Sequence, residues 1–164
     1  FYEDMHRWAF HLQVYFLNSR FNQIKNIRAS KKTTIQDRTI YEDAYIFAAN
    51  LYKSKFLNER DYASYLSLFD SMLQHVDAPD LIIYLKADIP KLVKQIQKRG
   101  RNYENAIRID YLQNLNDHYA DWMGNYDQGK KLVIDVNGMD FVENIDDFSS
   151  IVRKIDTELF GLFN

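Results

Sequence analysis

Three clusters in this chain have side chains suited to chemistry. The first is Thr33-Thr34-Ile35-Gln36-Asp37-Arg38-Thr39-Ile40-Tyr41-Glu42-Asp43. Its β-branched opening suits a pleated, half-buried strand, and an Asp, an Arg and a Thr arrive together at its end, just before a helical pattern begins. In a parallel α/β sheet ligands collect outside the carboxyl ends of the strands, so this stretch is a candidate active-site edge. A strand-end ion pair followed by an acid-rich helix N-terminus, which the helix dipole favours, has the same local sequence.

The second cluster lies on a helix. Residues 1 to about 28 contain no Gly or Pro and are apolar or aromatic on nearly every side, the pattern of a helix buried against several neighbours. At 100° per residue, Tyr2, Gln13 and Arg20 fall within about 20° of one another. A hydroxyl, a carboxamide that donates and accepts, and a planar donor thus share one stripe, which is chemistry suited to the edge of a nucleobase. A partly exposed helix edge would carry similar residues. The third cluster is Arg99-Gly100-Arg101-Asn102-Tyr103-Glu104, where Lys98, Arg99 and Arg101 surround a Gly and a carboxylate follows. It reads either as a solvated basic helix end, favourable to the dipole, or as a lid over about 98–107 whose guanidiniums clamp phosphate oxygens.

The elements that must position these residues alternate. Helices are expected over about 41–56 and 59–74, and Tyr45, Phe47, Leu51, Tyr52, Tyr62, Tyr65 and Phe69 read as core or interface. Leu81-Ile82-Ile83-Tyr84-Leu85 and Lys131-Leu132-Val133-Ile134-Asp135-Val136 are short continuous apolar runs, the mark of strands buried on both faces of a parallel sheet. Asp88-Ile89-Pro90 starts a helix, with Pro where its missing N–H costs little. Further helices are expected over 107–123 and 146–163. Counting the strand before Asp37, this alternation gives α/β architecture with at least three parallel strands.

Composition narrows the functions. The 164 residues include 5 Gly, 2 Pro and no low-complexity tract, so a single domain without a visible boundary is expected. With no Cys, disulfides, thiol catalysis and cysteine-ligated metal are excluded, and the 4 His show no metal-ligand spacing. A formal charge of -2 argues against a nucleic-acid partner. No apolar run approaches membrane length and no signal peptide is visible, so a cytoplasmic location is expected. Lys31-Lys32-Thr33-Thr34 lacks the glycines of a phosphate loop.

Taken together the chain resembles the deoxyribonucleoside kinase family along essentially its whole length. Four motifs agree in order and spacing: Tyr2, Gln13 and Arg20 on the first helix; Asp37-Arg38-Thr39 with Asp43 five residues beyond the Arg; the arginine-rich lid; and Asp135-Val136-Asn137 with Asp140-Phe141. The wording of 37–44 is most similar to bacterial enzymes acting on deoxyguanosine or deoxyadenosine. The resemblance implies a P-loop kinase-like three-layer α/β fold with a parallel sheet. It also implies ATP- and Mg²⁺-dependent phosphorylation of the 5′-hydroxyl of a deoxynucleoside, purine preferred, and a homodimer.

By the same resemblance Gln13 pairs with the base, Arg20 and Asp43 complete its recognition as an ion pair, and Phe47 packs against it. Tyr2 and Glu104 hold the sugar 3′-hydroxyl. Arg38 steadies the phosphoryl-transfer end, Asp37 sits near the metal, Arg99 and Arg101 are lid cations on the transferring phosphate, and Asp140-Phe141 flank the ATP adenine. The family's Gly-rich loop and general base are expected before Phe1, so the chain is expected to be a truncated piece lacking the first strand-helix-strand unit and inactive alone. Thr39 stands for the usual Ser, and Ala44 stands where some relatives carry Arg. A nucleoside monophosphate kinase, or a non-catalytic nucleoside-binding or interaction module, are the alternatives.

Overall fold

The computed structural model describes residues 1, 3–101 and 108–161. They group into two compact units, Phe1–Asp77 with Asp110–Trp122, and Ala78–Ile109 with Met123–Asn164.

The first unit is helical. Asp4 opens α1 (Met5–Ser30) by accepting a hydrogen bond from the Arg7 N–H at 3.0 Å, and Lys31 ends it in the left-handed region at φ 52°. Its buried residues are Ala9, Gln13 and Leu17, one line at i, i+4, i+8. Trp8 and Tyr15 are 45% and 66% exposed, so α1 buries a stripe and not its full circumference.

Residues 33–36 form no strand, contrary to the sequence expectation. They are irregular, and Ile35 is 93% exposed. β-branched residues favour extended backbone, but a strand also needs a ladder partner, and none pairs with this run among the described residues.

Thr39 then caps a continuous helical rod: α2 (Ile40–Glu42), a π-helical segment (Asp43–Ala48) and α3 (Ala49–Lys53). The Ala49 N–H reaches back five residues to the Ala44 carbonyl, the widened bond of a π turn. Asn58 caps α4 (Glu59–Leu73), accepting from the Asp61 N–H at 2.8 Å. The core joins Leu17 from α1, Ile40, Ile46 and Leu51 from the rod, and Tyr65 and Phe69 from α4, all essentially inaccessible to solvent. Burying a side chain such as Phe69 contributes about 1.5–3 kcal/mol. Aromatic contacts fix the helices laterally, including Tyr52 stacked on Tyr62 at 4.5 Å and Tyr45 edge-on to Phe69 at 5.4 Å.

The second unit holds a parallel pair, β1 (Ile82–Lys86) beside β2 (Lys131–Asp135), with Leu85 opposite Ile134. Between them in sequence run α5 (Ile89–Arg99) and α6 (Ile109–Asn125), the latter belonging mostly to the first unit, and α7 (Ile145–Phe160) follows β2. Ala87, Ile134, Val136 and Ile151 form the core, with Leu92, Phe141 and Ile155 packed on it. The sheet thus has two strands among the described residues, where three or more were expected. Nor are the strands buried on both faces: Leu85 is 40% and Val133 49% exposed. A continuous apolar run marks a strand able to be covered on both sides, whereas actual cover depends on neighbouring elements. No described helix is long and apolar enough to cross a membrane.

Candidate active site

The site in the first unit is built from α1, the turn before α2 and the π segment. Gln13 and Arg20 are seven residues apart on α1, hence on the same face, and α1 packs on both the π segment and α4. Gln13 is only 3% exposed, and its Oε1 has no hydrogen-bond partner among the described residues. Arg20 Nε lies 3.6 Å from Asp43 Oδ2, with side-chain exposures of 19% and 3%. That spacing is an ion pair but too long for a hydrogen bond, and neither atom has another bonded partner among the described residues. Arg20 Nη1 also donates to Gln23 Oε1 at 3.3 Å, which steadies the guanidinium from the solvent side.

Burial pushes the Asp43 carboxyl up to about 6. Arg20 pulls it down, the charge of Glu42 adds to the rise, and Arg38 opposes it. Desolvation therefore outweighs the ion pair. Buried polar atoms are ordinarily satisfied by protein or water, so an amide oxygen, a guanidinium nitrogen and a carboxylate oxygen without a hydrogen-bond partner among the described residues make this a candidate ligand site.

The Asp37-Arg38-Thr39 turn is shaped by its last residue. The Thr39 hydroxyl accepts from the Tyr41 N–H at 3.2 Å and donates to Glu42, whose Oε2 also accepts the Thr39 N–H at 2.6 Å. This capping box gives the buried Glu42 a structural task and fixes how the chain enters α2. Just before it, Arg38 adopts φ 64°, a left-handed conformation costing a non-glycine residue roughly 1–2 kcal/mol. The strained backbone places the Arg38 guanidinium 4.6 Å from the centroid of the Phe47 ring. Phe47, expected against a base, thus carries a cation on its ring. Asp37 and Arg38 are both exposed.

Two buried polar residues of this unit went unrecognised in the sequence. Tyr65, assigned to the core, is fully buried, yet its hydroxyl has no hydrogen-bond partner among the described residues. Its phenol is pushed well above the ordinary range by burial and then by the charge of Asp43. Asn50 is also fully buried, with both side-chain polar atoms open among the described residues. An Asn seven residues after Asp43 in an apolar helix was the available signal.

The second unit carries the other candidates. Arg99 ends α5, Gly100 turns the chain at φ 66°, a conformation suited to Gly, and Arg101 follows. Asp140 pairs with Lys98 at 3.5 Å, and its N–H donates to Asp147 at 2.8 Å. Phe141 packs against the sheet core. The loop is tied to the start of α5, since the Asp88 N–H donates to Asn137 at 2.8 Å and Lys91 donates to the Met139 carbonyl at 2.6 Å. Tyr2 and Glu104, expected at the sugar, lie outside the described residues, as does most of the expected lid beyond Arg101.

A family model described as deoxynucleoside kinase matches residues 1–160, the span that contains all of these groups. The chain belongs to the deoxynucleoside kinase family. This deoxynucleoside kinase chain is 33% identical over 157 residues to the deoxyadenosine/deoxycytidine kinase of Bacillus subtilis, covering 94% of the chain and 72% of that protein. It is 34% identical over 168 residues to the deoxyguanosine kinase of Lactobacillus johnsonii, covering 97% and 74%. Among solved structures, deoxyadenosine kinase from M. mycoides with bound dATP is similar at a TM-score of 0.80 and 28% identity, covering 94% of this chain and 78% of that one. The expected fold class, α/β of the P-loop kinase type with a parallel sheet, agrees with these likenesses.

Proposed function

We propose that this chain supplies the nucleoside pocket and lid of an ATP-dependent kinase that phosphorylates the 5′-hydroxyl of a deoxynucleoside, with purines preferred. One observation carries the reading: Gln13 and Asp43 are buried on packed helices beside a half-buried Arg20, yet all three keep hydrogen-bonding atoms open among the described residues. What supports a ligand site is that these open atoms belong to a carboxamide, a guanidinium and a carboxylate, which together donate and accept as a base edge requires. The pocket offers one guanidinium on α1, whereas a monophosphate acceptor site would need further cations to hold the substrate phosphate.

In this reading Gln13, Arg20 and Asp43 read the base, while Tyr2 and Glu104 hold the sugar. Arg38 bears on the transferring phosphoryl group, its guanidinium positioned by Phe47 and by the left-handed turn. Arg99 and Arg101 neutralise charge on the equatorial oxygens, the main task of a phosphoryl-transfer site. Mg²⁺ binds through one or two carboxylates while keeping much of its water, so the exposed carboxylate of Asp37 suits it. Bound there with ATP, it would neutralise phosphate charge. Asp140 and Phe141 flank the ATP adenine, and exposed Trp8 and Tyr15 on α1 support a homodimer.

The test is phosphoryl transfer by the full-length protein that carries this chain, with deoxyadenosine, deoxyguanosine, deoxycytidine, thymidine and deoxyguanosine monophosphate as acceptors. Purine deoxynucleosides are expected to be phosphorylated in preference to thymidine, and the monophosphate not at all. Gln13→Ala should raise KM for the nucleoside at least about tenfold, the equivalent of one lost buried hydrogen bond, with a smaller change in kcat. Turnover of the monophosphate, or an unchanged KM in the variant, overturns the assignment.

A further inference from the structure

We propose that Lys98 is a positioning residue for the phosphate-binding arginines, fastening the end of α5 to the loop that carries Asp140. This rests on the reading of Asp140-Phe141 as the adenine side of an ATP site and of Arg99 and Arg101 as its phosphate ligands.

Packing alone does not fix α5. None of its 11 residues is buried. Leu92, in its first turn, packs on the sheet core, while residues 97–100 are exposed. Polar ties to a single segment set its direction instead. The Asp88 N–H donates to Asn137 Oδ1 at 2.8 Å, and Lys91 Nζ donates to the Met139 carbonyl at 2.6 Å. At the far end Lys98 Nζ lies 3.5 Å from Asp140 Oδ2 and donates to Glu143 Oε1 at 3.4 Å. Lys91 and Lys98 are seven residues apart and so share a face of the helix. Unrelated surface pairs would scatter over different partners. These ties run in register, residues 88, 91 and 98 against residues 137, 139 and 140–143.

The loop is the fixed member. The Glu143 and Asn144 N–H groups both donate to the Asp140 carbonyl, at 3.1 and 2.7 Å. The Asp140 N–H donates to Asp147 Oδ2 on α7 at 2.8 Å. Lys98 is therefore the last point at which a braced loop grips the helix, and Arg99 is the next residue along. An ammonium donates in several directions and can serve both carboxylates at once. Gly100 turns the chain straight afterwards at φ 66°, so any swing of the helix end is carried into Arg101. Placement matters in phosphoryl transfer, where a misplacement of about 1 Å can cost about a hundredfold. Lys98, Asp140 and Glu143 are all more than half exposed, so the tie adds little to global stability and acts on position.

The experiment compares the full-length protein that carries this chain with its Lys98→Met and Lys98→Arg variants. Without nucleotide, the amides of residues 97–100 should exchange hydrogen about fivefold faster in Lys98→Met, a local loosening with no change in the thermal midpoint. In steady-state assays the same variant should show KM for ATP raised and kcat lowered, each about fivefold, with KM for the deoxynucleoside constant to within about twofold. Lys98→Arg, which can still span both carboxylates, should restore exchange and kinetics together. Unchanged exchange or unchanged ATP kinetics in Lys98→Met overturns the inference. So does a loss of activity that tracks a lowered thermal midpoint, or a failure of Lys98→Arg to rescue. Should the parent protein phosphorylate no deoxynucleoside, the kinase reading fails and takes the role of the arginines with it, while exchange alone decides whether Lys98 fastens the helix end.

Discussion

Replacing Asp43 by Asn should stabilise the chain near neutral pH, although it removes one half of an ion pair. The carboxyl stands at about 6 in the folded chain against an ordinary 3.8. Each pKa unit corresponds to about 1.4 kcal/mol, so holding this group ionised costs roughly 3 kcal/mol at pH 7. The sign follows from proton binding: between about pH 4 and 6 the folded chain holds a proton that the unfolded chain has released. Stability is therefore lost as pH rises through that window, and the loss stays constant above it.

The pull of Arg20 is already contained in that balance, and the Arg20 side chain left behind is 19% exposed and keeps its bond to Gln23. The net expectation for Asp43→Asn is therefore a gain of about 3 kcal/mol at pH 7, shrinking towards pH 4. Urea denaturation of both proteins at unit pH intervals from about 4 to 8, compared at equal m-value, reads it directly. A variant less stable than the parent at pH 7, or a difference that ignores pH, would refute the claim that desolvation outweighs the pair.

Arg38→Gly should separate stability from activity. Glycine relieves the φ 64° strain while the cation on Phe47 is lost, so the midpoint of thermal unfolding should move little. The turnover number should fall on the order of a hundredfold, as when a positioned charge is removed from a transferring phosphoryl group; parallel thermal melts and steady-state assays would show whether the two effects divide in this way. Thr39→Ala should cost about 1 kcal/mol of unfolding free energy in urea, because the Tyr41 N–H loses its cap and Glu42 loses its hydroxyl donor.

Much of this was legible in the primary structure, for physical reasons that differ by element. The helices announced themselves because α1 runs 26 residues without Gly or Pro and α4 is amphipathic, and the strands 82–86 and 131–135 because a parallel strand is a short apolar run. The Arg20–Asp43 pair followed from the family resemblance alone. By contrast, Thr33-Thr34-Ile35 shows β-branched preference without a ladder, since propensity is local and pairing is not. The π turn has no simple sequence signature, because it depends on how Asp43 and Ile46 pack against neighbouring helices. Glu42 could have been recognised as the partner of Thr39 from the spacing Thr-x-x-Glu alone. Tyr65 could not have been told apart from core, as burial without a partner is a property of three-dimensional surroundings.

The widened turn at Asp43–Ala48 amounts to one residue of slack wound into a rod. Removing a single position there would let the helix tighten to regular pitch, and everything ahead of the deletion would swing by about 100° about the axis. Leu51 and Asn50, behind it, could keep their seats. The carboxylate, the capped threonine and the strained arginine would be carried round together, away from the guanidinium waiting on α1. A slightly poorer coil is thus what aims two charges at one another, and the length of those six residues matters as much as their identity.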